Sequence, residues 1–169
     1  MDKSKKHQLF DQIKMDAIIK RIALQIHESN IEEKQLFIVG IANKGNILAK
    51  KIANFLKDSM TMTEIVLMEL QIDKSKPLGS IKTSLNVSEC EDHTVVIIDD
   101  VLNTGSTLVY AVHHFLKVPL KKIQTAVLVN RNHKRFPIKA DFKGISLSTS
   151  YKEHVSVSME GPGAGAYLS

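Results

Sequence analysis

The run LFIVGIA, Leu36 to Ala42, carries no polar side chain at any position. A strand with one wet face would alternate, so a continuous apolar run predicts a strand buried on both faces. Such a strand needs cover above and below, and the chain supplies helices for it. Gln8 to Ser29 reads as an amphipathic helix with Met15, Ile18, Ile19, Ile22 and Ile26 on one face. A second helix follows NKG and runs to about Lys57, with Leu48, Ile52, Phe55 and Leu56 as its stripe. TEIVLMELQI (Thr63 to Ile72) reads as a strand, and so do Val95 to Ile98 and KIQTAVLVN. TLVYAVHHFLK is helical, with Leu108, Ala111, Val112, Phe115 and Leu116 facing inward, and Pro119 marks the break. HVSVSM alternates and suits a last, edge-like strand. The glycine-rich tail EGPGAGAYLS is expected to be poorly ordered or draped on the surface. Strand and helix thus take turns, the pattern of an α/β fold with a mainly parallel sheet.

The 169 residues suit one domain, expected to span 1–169. No apolar run approaches the roughly 18 residues of a membrane span, and the polar N-terminus lacks the apolar core of a signal peptide. A soluble, cytoplasmic protein is therefore expected. Cys90 is the only cysteine, which rules out a disulfide framework and a CxxC zinc site. The net charge of +5 suits an anionic ligand or a nucleic acid. Asp73 to Asp92 has no clear period and holds Pro77, Gly79 and many hydroxyls, as a lid or binding loop does.

Ligands of open α/β sheets bind outside the carboxyl ends of the strands. There the chain places VVIIDDVLNTGST, Val95 to Thr107. The apolar strand runs into Asp99 and Asp100. The turn after it offers Asn103, Thr104, Gly105, Ser106 and Thr107 at the start of a helix. Helix-start amides, hydroxyls and a glycine that lets backbone come close form a plausible phosphate cradle. The carboxylates would repel phosphate but accept hydrogen bonds from sugar hydroxyls, and they can help hold Mg²⁺ through water. A ribose 5-phosphate has both parts. At another strand end, Asn43, Lys44 and Gly45 form a turn with one cation. This is no Walker A loop, because Asn46 and Ile47 follow the second glycine, and no GxGxxG occurs. At the third, five Lys/Arg (Arg131, Lys134, Arg135, Lys139 and Lys143) stand with His133 against one acid, Asp141. His113 and His114 are adjacent on a helix and point to different faces, so they do not chelate together.

VVIIDDVLNTGST resembles the phosphoribosyl-diphosphate signature of the type I phosphoribosyltransferases. FIVGIANKGNILAKKIA and IQTAVLVNRNHKRFPIKADFKGISLSTS are similar to segments of one branch, the pyrimidine operon regulators that double as uracil phosphoribosyltransferases. The likeness runs from about Ile18 to Val157 and is weakest in the lid and tail. It implies a central, mainly parallel twisted sheet flanked by helices, a small hood from the terminal segments and a flexible lid. It implies transfer of a nucleobase, with uracil favoured to give UMP, onto phosphoribosyl diphosphate with Mg²⁺. Asp99 and Asp100 would be the catalytic pair holding the ribose. Asn103 to Thr107 would hold the 5-phosphate, and Asn43, Lys44 and Gly45 the diphosphate. Val129, Arg131, Lys139 and Asp141 would line the base pocket. Relatives bind messenger RNA and form homodimers or homotetramers; here Lys20, Arg21, His133, Lys134 and Arg135 are the candidate RNA contacts.

The chain departs from that branch at several points. Lys44 and Lys139 stand where relatives carry Arg. Asn103 and Ser106 replace an aromatic residue and an Arg, and the lid text IDKSKPLGS has no Arg. Leu24 and Ser29 stand where relatives have polar or basic residues. Lysine at position 139 suits a purine oxygen as well as a pyrimidine. A uracil transferase, a nucleotide-sensing RNA regulator with little turnover, and a hypoxanthine/guanine transferase all stay open at this point.

Overall fold

The computed structural model describes residues 6–150 and 153–169. The expectation that no leader is present rests partly on residues 1–5, which lie outside this range. The first element is a strand, β1 (His7–Asp11), followed by α1 (Gln12–Ser29). The helix expected from Gln8 therefore starts four residues later. Asp11 sets the boundary: its carboxylate accepts the Lys14 amide at 2.9 Å and caps α1. Phe10 is buried within β1. The buried stripe of α1 is the expected one, Met15, Ile18, Ile19, Ile22 and Ile26, with Ala23 added.

β2 (Gln35–Ile41) leads into α2 (Lys44–Ser59), whose buried face includes Leu48, Ile52 and Leu56 while Phe55 is half-buried. β3 (Glu64–Gln71) follows. The segment from Asp73 to Asp92, which has no clear period in the sequence, has regular structure in its second half. β4 (Lys82–Thr83) pairs antiparallel with β3, and Val87–Cys90 forms a short 3₁₀ turn capped by Asn86 and Glu89. β5 (Thr94–Leu102) is longer than expected and carries Asp99 and Asp100 inside the strand. α3 (Ser106–Phe115) buries Leu108, Ala111 and Phe115. Leu116, expected on that face, is 58% exposed because the helix ends before it. β6 (Lys122–Asn130) has the expected bounds, and β7 (Phe142–Ser146), not expected, adds the far edge.

The large sheet has the order β4-β3-β2-β5-β6-β7, with all pairs parallel except β3 with β4. β2 and β5 are central, which is why each carries a continuous apolar run, Leu36 to Ile41 and Val95 to Ile98. Odd and even positions of β5 feed two apolar layers. Val96 and Ile98 pack with α1 and α2, and Val95 and Ile97 pack with Phe37, Leu108 and Phe115 on the α3 side.

The termini form a second, antiparallel sheet. β8 (Val155–Ser158) and β9 (Gly165–Leu168) join β1 in the order β1-β9-β8. This is the hood expected from the terminal segments. It also corrects the reading of the tail: β9 is the middle strand, and Ala166 is fully buried. HVSVSM is an edge strand as expected, but not the last one. Among the described residues, no helix is long and apolar enough to cross a membrane.

Candidate functional site

Parallel strands all end on one side of the sheet, so the loops after β2, β3, β5 and β6 gather there. A cavity of about 330 Å³ opens at this edge. Asp99, Val127, Leu108 and the run Asn103 to Thr107 line it, together with Lys74.

The floor of the site is acidic and buried. Asp99 is 3% exposed and Asp100 is 7% exposed. Asp99 Oδ1 accepts the Asp100 amide at 2.9 Å and the Lys74 ammonium at 2.8 Å; Asp100 Oδ1 lies 3.4 Å from the same nitrogen. Lys74 went unmarked in the sequence, since its role depends on a crossing between distant strands. Its only local signal is the Asp73-x-Ser75 turn that aims it.

Burial pushes the Asp99 carboxyl up to about 7, with the Lys74 charge opposing the rise and the Asp100 charge adding to it. Burial works to lower the Lys74 ammonium, but the two carboxylates outweigh it and hold its pKa above the ordinary value. Folding therefore favours a proton on Asp99. The associated stabilisation is complete below the unfolded value of about 4 and is lost as pH rises through about 7. The ligand-free protein should gain thermal stability as pH falls from about 8 to about 5, and an Asp99→Asn variant should lose that slope. Parallel melting curves for the two proteins would refute the assignment.

The two carboxylates converge on one cation, so their chemistry fits a hard divalent ion. Among the described residues, no three His, Cys, Asp or Glu gather as a metal cage. A Mg²⁺ held here would need oxygens from its ligand and water, the usual habit of that ion.

The rim is built for an anion. Gly105 is the N-cap of α3 with φ +87°, the left-handed region that favours glycine. Having no side chain, it caps none of the first-turn amides of α3; the Ser106 amide donates to Thr104 Oγ1 at 3.3 Å, and Ser106, Thr107 and Leu108 line the cavity. A Cβ there would lie 2.6 Å from Ile138 Cγ2. The loop is held from behind by Thr104, whose carbonyl accepts the Arg135 and Phe136 amides at 2.8 and 3.1 Å. Across the site, Asn43 and Lys44 are exposed at the start of α2, and the Ala42–Asn43 peptide bond is cis. Gly45 is buried against β5: a Cβ there would stand 2.8 Å from Ile98 O and 3.3 Å from Asp99 Cα.

The residues expected around a base are less concentrated. Arg131 is buried and donates to Thr149 Oγ1 at 3.0 Å and to Ser150 O at 3.3 Å. Lys139 is exposed. Asp141 Oδ2 accepts the Thr125 amide at 2.8 Å and the Thr125 hydroxyl at 3.1 Å, which turns it to β6. Val129 is buried in the apolar layer beneath α1 and α2, while Val127 faces the cavity. Of the expected RNA contacts, Arg131's neighbours His133, Lys134 and Arg135 line a second cleft of about 490 Å³ with Asn103, Thr104 and Asn132. His133 Nε2 lies 2.8 Å from Thr149 O. Lys20 is exposed on α1. Arg21 donates to the Lys143 and Gly144 carbonyls of β7.

Comparison with known proteins shows the family. A family described as the phosphoribosyl transferase domain matches residues 6–161. A bifunctional protein PyrR from Leuconostoc mesenteroides is 34% identical over 160 residues, covering 89% of this chain and 89% of the relative. A pyrimidine operon regulatory protein from Lactococcus lactis is 31% identical, covering 90% of this chain and 89% of the relative. Among solved structures, a hypoxanthine-guanine phosphoribosyltransferase from Bacillus anthracis superposes with a TM-score of 0.73 at 14% identity, covering 96% of each chain. A hypoxanthine phosphoribosyltransferase from Staphylococcus aureus gives 0.72 at 18% identity, covering 92% of this chain and 86% of that one. These two likenesses are of fold.

Proposed function

The chain belongs to the phosphoribosyl transferase domain family, and from that premise we propose that it joins a nucleobase, with uracil favoured, to C1 of phosphoribosyl diphosphate and releases diphosphate. The whole chain is read as one such domain. The observation that carries this reading is the juxtaposition, around one cavity, of the buried Asp99 carboxylate and the start of α3 at Gly105, with Asp100 Oδ1 3.4 Å from the same Lys74 ammonium that Asp99 binds. Each half suits a different part of one sugar phosphate.

In the reaction, the bond from C1 to the diphosphate oxygen breaks as a base nitrogen bonds to C1 and gives up its proton to the departing diphosphate or to water, through an oxocarbenium-like transition state. The α3 amides and the hydroxyls of Thr104, Ser106 and Thr107 bind the 5-phosphate. Asp99 and Asp100 accept the ribose hydroxyls and place their negative charge near the developing positive charge of the ring. Lys44 faces the departing diphosphate. Mg²⁺, when bound, neutralises the leaving group. No side chain need attack covalently; the protein's work is to position the reactants and exclude water.

Uracil rests on the resemblance to the pyrimidine regulator branch and on relatives named PyrR at 31–34% identity. The test is diphosphate release from phosphoribosyl diphosphate and Mg²⁺ with uracil, hypoxanthine or guanine. Uracil should exceed each purine by at least about tenfold in kcat/KM. Faster release with a purine would overturn the base assignment. A second reading, a nucleotide-sensing RNA regulator, draws on the basic cleft around Arg131, His133 and Lys134 and on the regulatory names of the relatives. UMP binding without turnover on any base would replace the first reading with this one.

A further inference from the structure

The segment after β3 reaches across the sheet. β3 and β5 are separated by β2, so a residue just past β3 must span two strand spacings, about 10 Å, to touch β5. Lys74 does so. Its path crosses the end of β2, where Asn43 to Gly45 stand. Residues Ile72 and Asp73 line a cleft of about 500 Å³ with Ala42 and Asn43, which places the strap directly beside that turn. The strap has its own local order. Asp73 Oδ1 accepts the Ser75 amide at 2.8 Å and the Ser75 hydroxyl at 2.6 Å, and the Asp73 carbonyl accepts the Lys76 amide at 3.0 Å. The Gly79 amide then bonds the Lys76 carbonyl at 2.9 Å. This run of tight turns sends the Asp73 carboxylate to its own backbone and leaves Lys74 to reach inward.

We infer that Lys74 is a latch: its ammonium holds one oxygen of each carboxylate, Oδ1 of Asp99 and of Asp100, against a ribose hydroxyl, and it straps the segment after β3 across the site until a sugar phosphate displaces it. This rests on the proposed sugar-phosphate site. Asp99 Oδ1 already accepts two hydrogen bonds, from Lys74 and from the Asp100 amide, which uses both of its lone pairs. A ribose hydroxyl cannot share that oxygen with the ammonium. The exchange is physically open, because the Lys74 side chain is 43% exposed and its flexible stem can swing the charge into water. Each binding event then breaks the Lys74 ion pairs with Asp99 and Asp100 and frees the strap from residue 73 to residue 81. A protein built this way binds its sugar phosphate more weakly than its cradle alone allows, and it couples filling of the site to release of the lid.

The test is calorimetric titration with ribose 5-phosphate, without metal, on wild type, Lys74→Met and Lys74→Arg. A pH of about 8.5 keeps Asp99, whose pKa burial pushes up to about 7, ionised. Lys74→Met should bind about tenfold more tightly than wild type, and Lys74→Arg, which keeps the charge, should stay near wild type. Hydrogen exchange gives a second readout: the hydrogen-bonded amides of Ser75, Lys76 and Gly79 should lose protection when wild type binds ribose 5-phosphate, and should already lack it in unliganded Lys74→Met. Equal or weaker binding by Lys74→Met, with wild type binding normally, overturns the latch and leaves the sugar-phosphate site standing. Absence of binding in all three proteins overturns the site, and the latch with it.

Discussion

Replacing Asp99 and Asp100 together by asparagine should reduce phosphoribosyl transfer by at least about 1000-fold while the protein melts no lower than wild type at neutral pH. The two halves of this result have one cause. Both carboxylates are buried, and burial disfavours the charge on Asp99 strongly enough to push its pKa up to about 7. Amides of the same shape remove two poorly solvated charges from the interior. The cost is the Lys74 ion pair, whose cationic partner is partly exposed and can return to water. Function loses more. An amide presents a donor as well as an acceptor, so it cannot offer a ribose the same all-acceptor edge, and it carries no charge toward an electron-poor ring. Loss of stability larger than the loss of activity would mark the pair as structural. So would retention of ribose 5-phosphate affinity in the double variant.

Gly45→Ala is the second substitution with a large expected effect. The added methyl would meet the Ile98 carbonyl at 2.8 Å and Asp99 Cα at 3.3 Å, and both belong to the central strand. Backbone on a doubly paired strand cannot give way, so the start of α2 must move instead. That shift carries Asn43 and Lys44 away from Asp99 and separates the two ends of the site. A fall in kcat/KM of about 100-fold is expected from a misplacement of this kind, with overpacking costing about 1–3 kcal/mol of stability. Gly163→Ala is the control, since a methyl there meets only the Tyr167 hydroxyl, at 3.8 Å. Activity of Gly45→Ala within about threefold of wild type would show that the approach of α2 to β5 does not position the site.

Most of the large sheet was legible because its inner strands carry long apolar runs, such as Leu36 to Ile41 and Val95 to Ile98. KIQTAVLVN appears as β6 at its expected bounds, and the stripe of α1 is the one the spacing predicts. The misses share a physical character. β1 buries only Phe10 among HQLFD, and its apolar residues run into the helical period of α1. β7, FKGIS, is short and broken by a glycine. β9, GAYL, looks like a flexible tail until β1 and β8 are placed on either side of it. Each of these strands is specified by partners far away in the chain, a kind of information that local pattern does not hold. The same division runs through the site. The cradle Asn103 to Thr107 is contiguous, so the sequence displays it whole. Lys74 reaches Asp99 only through strand order, and Asp141 is turned aside by Thr125, sixteen residues away.

The hood has a consequence for how the chain is made. Its middle strand, β9, is the last element, and it bonds β1, the first, on one side and β8 on the other. During synthesis the large sheet has all its strands before the hood can close, because β1 must wait for residues up to Leu168 to leave the ribosome. Until then Phe10 and the apolar residues of β8, Val155 and Val157, lack their β9 partners, and a nascent chain stalled late in translation is the form most exposed to aggregation and to chaperones.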